Sequence, residues 1–439
     1  MSEITISREA QPTMEAAGTG PMSKTMDAIH REAQPAAAAT SAKPQPCIVF
    51  TGGGTGGHIY PGLAVIEELR HQGFQGRIAW IGSEKELDRS IVAEQGVEYF
   101  AIPSGKFRRE LSLRNVTDLG RIVAGYMRAK AILKSLCPSL LFSKGGYVSV
   151  PPCRAATSLG IPVITHESDT SPGLATRLNS KRASLILTSW EATAAYFPES
   201  IRAKIVRVGN PVRPSLFSGD AEHGLTMLGF VKEKPLLFVL GGSQGAREVN
   251  DLVLASLPLL CPSVQIVHQT GKANFDEVMA SIPDDNNIRA SYRPLPYIGL
   301  EIADIYAAST IVAGRAGAGT VWEAASLGKP MILIPLSGPG TRGDQVENAA
   351  LAAQAGAATV LEGAQISPPA FANAVKKYLQ REIYDSAVRA CYSITHISAQ
   401  TAEALLGNRN LSDKKQMLSA EFIARLLLAR LEKQTKEET

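Results

Sequence analysis

Cys47-Ile48-Val49-Phe50-Thr51-Gly52-Gly53-Gly54-Thr55-Gly56-Gly57-His58 decides the fold: an apolar run of strand length ends in glycines and then opens into a helical stretch. The same order returns at Pro235-Leu236-Leu237-Phe238-Val239-Leu240-Gly241-Gly242-Ser243-Gln244-Gly245-Ala246. A buried strand that ends this way leaves backbone N–H groups aimed at one point, and that point attracts phosphate. One such loop is a weak signal. Two of them, each opening its own α/β run, predict twin nucleotide-type domains facing a shared cleft.

Outward from these loops the text alternates. In the first half, residues 48–51, 77–81, 140–143, 162–165, 185–188 and 205–208 read as strands. Helical stretches lie at 61–71, 119–136, 151–159 and 190–197. Gly209-Asn210-Pro211-Val212-Arg213-Pro214 breaks the pattern and reads as a hinge. The alternation restarts with strands at 236–240, 264–268, 311–313, 331–335 and 358–361, and helices at 246–259, 319–327, 344–355 and 369–379. Strand–helix alternation of this kind predicts an α/β chain, with parallel sheets covered by helices on both faces. The expected units are 45–208, a linker at 209–214, a second domain at 215–390, and helices at 391–408. Residues 1–44, rich in Ala, Pro, Ser, Thr and Glu, read as a disordered extension. Residues 409–439 read as a helical extension in which Leu418, Phe422, Leu426 and Ala429 share one face. That face suits either a membrane surface or docking on protein.

The bulk numbers narrow the class. The chain has 439 residues, 45% of them apolar, and a formal net charge of +4. Such a balance does not point to nucleic acid. Cys47, Cys137, Cys153, Cys261 and Cys391 have no metal-type spacing and read as thiols of a reducing compartment. No signal pattern and no bilayer-length apolar run is visible, so a cytoplasmic protein is expected, with a membrane surface still within reach.

Several segments carry chemistry. Gly52, Gly54 and Gly57 fit GxGxxG, but no acidic residue closes a second strand at the right distance for NAD. There is no Gly-Lys-Ser/Thr for a Walker site. His58 follows the glycines at the mouth of a helix, where an imidazole either faces the cleft or merely braces the loop. Ser243 caps a helix or touches phosphate. Gly314-Arg315-Ala316-Gly317-Ala318-Gly319 opens a further helix on which Glu323 is placed to grip a ribose. Arg342-Gly343-Asp344-Gln345-Val346-Glu347-Asn348 sets amides and carboxylates at helical spacing, suited to sugar hydroxyls or to a solvated face. His166-Glu167-Ser168-Asp169 ends a strand, with Asp169 either an acid–base group or a cap. Lys106-Phe107-Arg108-Arg109 and Ser143-Lys144-Gly145-Gly146-Tyr147 either offer cations to an anionic acceptor or lipid headgroups or are solvated charge runs.

From about Cys47 to Leu406 these segments, in this order, resemble the MurG family of glycosyltransferases, family 28. The resemblance implies two Rossmann-like, doubly wound domains in the GT-B arrangement, with the helices at 391–408 returning to the first domain. It implies transfer of N-acetylglucosamine from UDP-N-acetylglucosamine to the C4 hydroxyl of the muramyl sugar of lipid I, with inversion, for peptidoglycan synthesis at the cytoplasmic face of the cell membrane. It places Thr55, Gly56 and Gly57 at the acceptor diphosphate and the donor sugar. It places Arg213, Ser243, Ala318, Gly319, Thr320, Val321, Trp322 and Glu323 on UDP, a backbone amide near Ile298 on uracil, and Gln345 on the transferred sugar. The resemblance also places a sugar contact at Asp169, where many family members have Asn; this chain's His-Glu-Ser-Asp and Arg-Gly-Asp-Gln versions resemble one subclass. His58 is the first candidate base, since imidazole titrates near neutrality, and Asp169 the second. No DxD-like metal motif is evident, and no metal or cofactor is expected. Partners would be UDP-N-acetylglucosamine, lipid I and an anionic membrane surface. The rival readings are a UDP-N-acetylglucosamine 2-epimerase-like enzyme and a non-catalytic nucleotide-sugar-binding protein.

Overall fold

Two parallel sheets organise the chain. The structure, a computed structural model, describes residues 45–105, 114–242, 245–338, 341–406 and 417–437. The extension before residue 45, the basic segment from Lys106 to Arg109, and Ser243 lie outside these residues.

The first sheet contains β1 (Cys47–Thr51), β2 (Arg77–Gly82), β3 (Glu98–Ala101), β4 (Leu140–Ser143), β5 (Val163–Glu167), β6 (Leu185–Thr188) and β7 (Ile205–Arg207). Their order is β3-β2-β1-β4-β5-β6-β7. The second contains β8 (Leu236–Leu240), β9 (Gln265–Gln269), β10 (Tyr292–Leu295), β11 (Ile311–Gly314), β12 (Met331–Leu333) and β13 (Ala358–Val360), ordered β10-β9-β8-β11-β12-β13. Helices cover both faces, which is why β1 and β8 are buried at every position, with apolar runs broken only by Thr51 at the end of β1, rather than alternating. In each sheet the order reverses beside its first strand, between β1 and β4 and between β8 and β11. Open α/β sheets take ligands at the C-terminal strand ends of such switch points. The glycine segments stand at these ends.

β3 and β10 are edge strands that the hydrophobic pattern does not reveal. Glu98-Tyr99-Phe100-Ala101 has no buried member, and Pro294 interrupts β10. An edge tolerates both, because one side of the ladder is free.

After β13 the chain serves both domains. Helix Arg381–Thr395 packs on helix Ala318–Ser326, placing Cys391 and Ile394 in the second core. Arg207 of the first domain donates to the carbonyls of Ile394 and His396, capping that helix's end. Terminal helix Ser419–Glu437 then lies along helix Tyr60–His71, with Phe422, Ile423, Leu426 and Leu427 fully buried in the first core. Burial on this scale is worth about 1.5–3 kcal/mol per side chain. The apolar stripe of this helix is thus spent on the protein, and the membrane reading of it is set aside.

The hinge is packed rather than slack. Gly209 has φ +78°, and a Cβ there would collide with Ser419 Oγ and lie 2.9 Å from Trp322 Cζ3. Trp322 in turn meets Trp190 of the first domain edge-on, with ring centroids 5.1 Å apart.

Candidate active site

The loop after β1 is shaped from within. Asp88, from helix Glu86–Ala93, is buried and takes the Gly54 N–H on Oδ2 at 2.7 Å and the Ser83 hydroxyl at 2.6 Å. Lys85 Nζ donates to the Gly54 carbonyl at 3.0 Å. A Cβ on Gly53 would sit 2.7 Å from Asp88 Oδ2, so the glycine makes room for the carboxylate. The expectation of free N–H groups awaiting phosphate therefore fails at Gly54: a carboxylate already occupies that donor.

His58 faces the cavity this loop borders. Its Nδ1 lies 3.2 Å from the Lys144 carbonyl. A carbonyl only accepts, so Nδ1 carries the proton and Nε2 keeps its lone pair. Burial, and then the charge of Lys144, hold its pKa below the ordinary 6.5. Gly146, at φ +74°, permits the ring's position, since a Cβ there would come within 2.9 Å of His58 Cδ2. The cavity, about 390 Å³, is lined by Gly53, Gly54, Thr55, His58, Tyr147, Glu167 and Leu174 among others, and by Arg342 from the second domain. Thr55 and Gly57 are exposed on this loop.

Lys144 does not meet a ligand as the sequence suggested. It is buried, with Nζ 2.6 Å from His166 Nδ1, 2.8 Å from Ser168 Oγ and 3.3 Å from Asn210 Oδ1. His166 Nε2 donates to the Gly209 carbonyl at 2.8 Å, leaving Nδ1 to accept from the lysine. Burial pushes the Lys144 pKa down to about 7. This network ties the ends of β4 and β5 to the hinge.

The second domain presents the opposite arrangement. Helix Ala318–Ser326 begins at Gly317, and among the described residues no side chain caps its first N–H groups. Beside Gly317 and Gly319 a Cβ would meet nothing within 4 Å, so the helix mouth is open. Glu323, one turn in, accepts from the Tyr306 hydroxyl at 3.1 Å, and its other oxygen lies 3.9 Å from Arg213 Nη2. Burial raises its pKa, while Arg213 and Tyr306 pull the other way. The Arg213 guanidinium stands 5.2 Å above the Tyr60 ring, and its Nε has no partner among the described residues. Ala318, Gly319 and Thr320 border the helix mouth, whereas the side chains of Val321 and Trp322 are wholly buried. Those two can offer only backbone. The Ile298 N–H is engaged by Gln269 Oε1 at 3.1 Å, and Gln345 Oε1 accepts from the Leu336 N–H at 3.0 Å, leaving the Gln345 NH2 to donate.

Between the domains, Asp169 is held from the far side. Its Oδ1 accepts from Asn348 Nδ2 at 3.1 Å and its Oδ2 from Arg342 Nη2 at 3.0 Å. Burial, then Glu167 and Asp344, raise its pKa. Asn348 is fully buried and fully used: Oδ1 takes the Thr170 N–H and hydroxyl, and Nδ2 also reaches the Ala316 carbonyl. It is a structural tie, not a sugar contact. Asp88, Tyr306 and Asn348's cross-domain role escaped the sequence reading; only the amide and carboxylate spacing of residues 342–348 hinted at the last. Among the described residues no group of three or more His, Cys, Asp or Glu is placed to hold a metal ion.

Known proteins share this plan. The glycosyltransferase family 28 N-terminal domain matches residues 48–188, and the family 28 C-terminal domain matches residues 236–402. A Treponema denticola protein, named UDP-N-acetylglucosamine--N-acetylmuramyl-(pentapeptide) pyrophosphoryl-undecaprenol N-acetylglucosamine transferase, is 48% identical over 340 residues, 74% of this chain and 86% of that one. Its namesake from Shouchella clausii is 39% identical over 344 residues, 78% of this chain and 94% of its own. The crystal structure of Acinetobacter baumannii MurG shares the fold with a TM-score of 0.60 at 24% identity, covering 79% of this chain and 94% of that one. With both halves of its sheet architecture matched in order, and relatives at this identity over most of their length, the chain belongs to glycosyltransferase family 28.

Proposed function

We propose that the protein transfers N-acetylglucosamine from UDP-N-acetylglucosamine to the C4 hydroxyl of the muramyl sugar of lipid I, with inversion, giving lipid II. The observation that carries this reading is His58: a neutral imidazole, its Nδ1–H fixed on the Lys144 carbonyl, lining a cavity walled by both domains. The acceptor hydroxyl attacks the anomeric carbon and gives its proton to His58 Nε2. The bond from that carbon to the UDP oxygen breaks, and UDP leaves with the electron pair. The open mouth of helix Ala318–Ser326 and Arg213 stabilise the charge that grows on the diphosphate. Glu323 grips the ribose hydroxyls, and the Gln345 NH2, unengaged among the described residues, donates to the transferred sugar. Asp169, with both oxygens engaged, is the weaker candidate for base. Uracil recognition at Ile298 would have to displace Gln269 from its N–H or use its carbonyl instead.

The lipid end of the acceptor favours a membrane contact on the first domain. Helix Arg114–Leu136 exposes Leu119, Val123 and Met127 on one stripe, with Arg128 beside them. Ile122 of that helix, with Leu174 and Leu178, lines the apolar end of the His58 cavity. No helix among the described residues is long and apolar enough to cross a membrane, and a surface contact of this kind needs none.

The test is transfer of radiolabelled sugar from UDP-N-acetylglucosamine to a short-chain lipid I analogue. A labelled lipid-linked disaccharide is expected. Release of UDP-N-acetylmannosamine, or UDP binding with no transfer, would overturn the reading. The transferase names of the curated relatives favour it over the epimerase.

A further inference from the structure

Arg342 stands just ahead of helix Asp344–Gln354 in the second domain. Gly343, at φ +77°, turns the chain there, a conformation glycine adopts freely. The Arg342 Nη2 nitrogen lies 3.0 Å from Asp169 Oδ2 and 2.6 Å from Asp344 Oδ2. These carboxylates come from different domains. Asp169 belongs to the loop after β5 and Asp344 opens the helix across the cleft. Glu167, whose Oε1 accepts the N–H groups of Ser168 and Asp169, brings a third negative charge close by. Closure of the cleft therefore presses like charges together, in a site where water screens them only in part. Asp169 is 15% exposed, Asp344 21% and Arg342 47%.

We propose that Arg342 is the counter-ion on which closure of the two domains depends, a positioning residue that acts through Asp169 and Asp344 rather than on the reacting atoms. Closure at this point reaches the donor site by two routes. Gln345 directly follows Asp344. Asn348, which holds Asp169 and Thr170, also holds the Ala316 carbonyl in the glycine segment ahead of helix Ala318–Ser326. Removal of the guanidinium leaves the carboxylates facing each other, so its loss is worse than the loss of one contact. Removal of one carboxylate as well relieves the repulsion. The turnover part of this inference rests on the glycosyltransferase reading; the domain-closure part does not.

The experiment compares Arg342→Ala, Arg342→Lys and the double variant Arg342→Ala/Asp344→Asn. Arg342→Ala is expected to lower kcat/KM for the acceptor about tenfold or more, and Asp344→Asn to restore much of that loss, as coupled charges do. UDP affinity should fall less than kcat/KM does, since the route from closure to the nucleotide elements, the Asn348–Ala316 bond, lies within the second domain. Arg342→Lys should keep most of the activity by conserving the charge. In parallel, spin labels on the exposed native thiol Cys137 and on Glu382→Cys, one per domain, report the interdomain distance. Arg342→Ala should lengthen or broaden it, and the double variant should bring it back. Unchanged distance and rate in Arg342→Ala, or a double variant no better than the single one, would overturn the proposal. If the parent protein transfers no sugar, the functional reading falls, and the distance series still decides whether Arg342 holds the domains together.

Discussion

The glycine segment after β1 and the one after β11 have the same order of strand, glycines and helix, yet opposite chemistry. In the first, a buried carboxylate, Asp88, fills the N–H of Gly54, and the loop's duty is to hold Thr55 and His58 at a cavity wall. In the second, the helix mouth carries no side-chain cap among the described residues, and Glu323 and Arg213 stand beside it. Glycine spacing dictates where a backbone can turn; it does not dictate whether the donors so exposed remain free. The lobe with an uncapped helix mouth suits a diphosphate, and the lobe whose Gly54 donor is filled suits a neutral hydroxyl nucleophile and its base.

The largest effect expected from this contrast falls on His58. His58→Ala should lower kcat about 10²–10⁴-fold, the usual worth of general base catalysis, with UDP affinity unchanged by direct titration. Its pKa lies below 6.5, so the neutral, proton-accepting form persists as pH falls through the range where a free imidazole would charge. The acid limb of the kcat profile should accordingly lie below that of an ordinary histidine. Loss of UDP binding in step with kcat would erase the division of labour between the lobes.

Glu323→Ala sharpens the other side. A hydrogen bond to a charged group is worth about 1.5–3 kcal/mol, so UDP affinity should fall by one to two orders of magnitude while kcat at saturating donor changes far less. Calorimetric titration of UDP against both variants separates the two lobes directly. An equal loss of UDP affinity in His58→Ala and Glu323→Ala would mean that the nucleotide spans both loops.

The sequence carried this architecture unevenly. Strands buried on both faces announced themselves as unbroken apolar runs, and the glycines marked their ends, so the two parallel sheets were legible. Edge strands β3 and β10 were not, because partial exposure and Pro294 remove the apolar signature. The terminal helix showed its stripe but not its partner, helix Tyr60–His71, which lies over 340 residues earlier in the chain, as does Gln72 from the Glu421 carbonyl it contacts, 349 residues apart. Lys144 looked like a cation for a ligand; only three-dimensional neighbours reveal that His166, Ser168 and Asn210 enclose it. Asp88 gave no local signal, since it serves a glycine 34 residues away.

Asp88 supplies the third test. Asp88→Ala strips the Gly54 N–H and the Ser83 hydroxyl of their shared acceptor, a loss of about 1–3 kcal/mol when the orphaned groups stay buried. Urea unfolding should show a lower midpoint with an unchanged slope. Among the described residues no equivalent carboxylate caps the mouth of helix Ala318–Ser326, so Gly319→Ala, placed where a Cβ meets open space, should leave stability nearly unaltered and act on UDP affinity instead.

The last expected effect is a slope rather than a step, and it concerns the hinge that joins the lobes. Lys144 in the folded protein titrates at about 7, depressed by burial, whereas an unfolded lysine titrates near 10.4. Between those values the unfolded chain holds a proton that the folded chain lacks. Stability therefore rises with pH across that window and is lost as pH falls toward 7, by at most about 1.4 kcal/mol per pH unit. Lys144→Met removes the titrating group while keeping an unbranched side chain of similar length in the same buried space. The variant should lose this slope between pH 7 and 9 in urea titrations, and the His166, Ser168 and Asn210 groups left without the amine should lower its stability at the upper end. A parent protein whose stability is flat over that window would mean that the lysine keeps its charge inside the network, with Glu167 and Asp169 near enough to hold it there, and the hinge would then be tied by an ammonium ion rather than by a neutral amine.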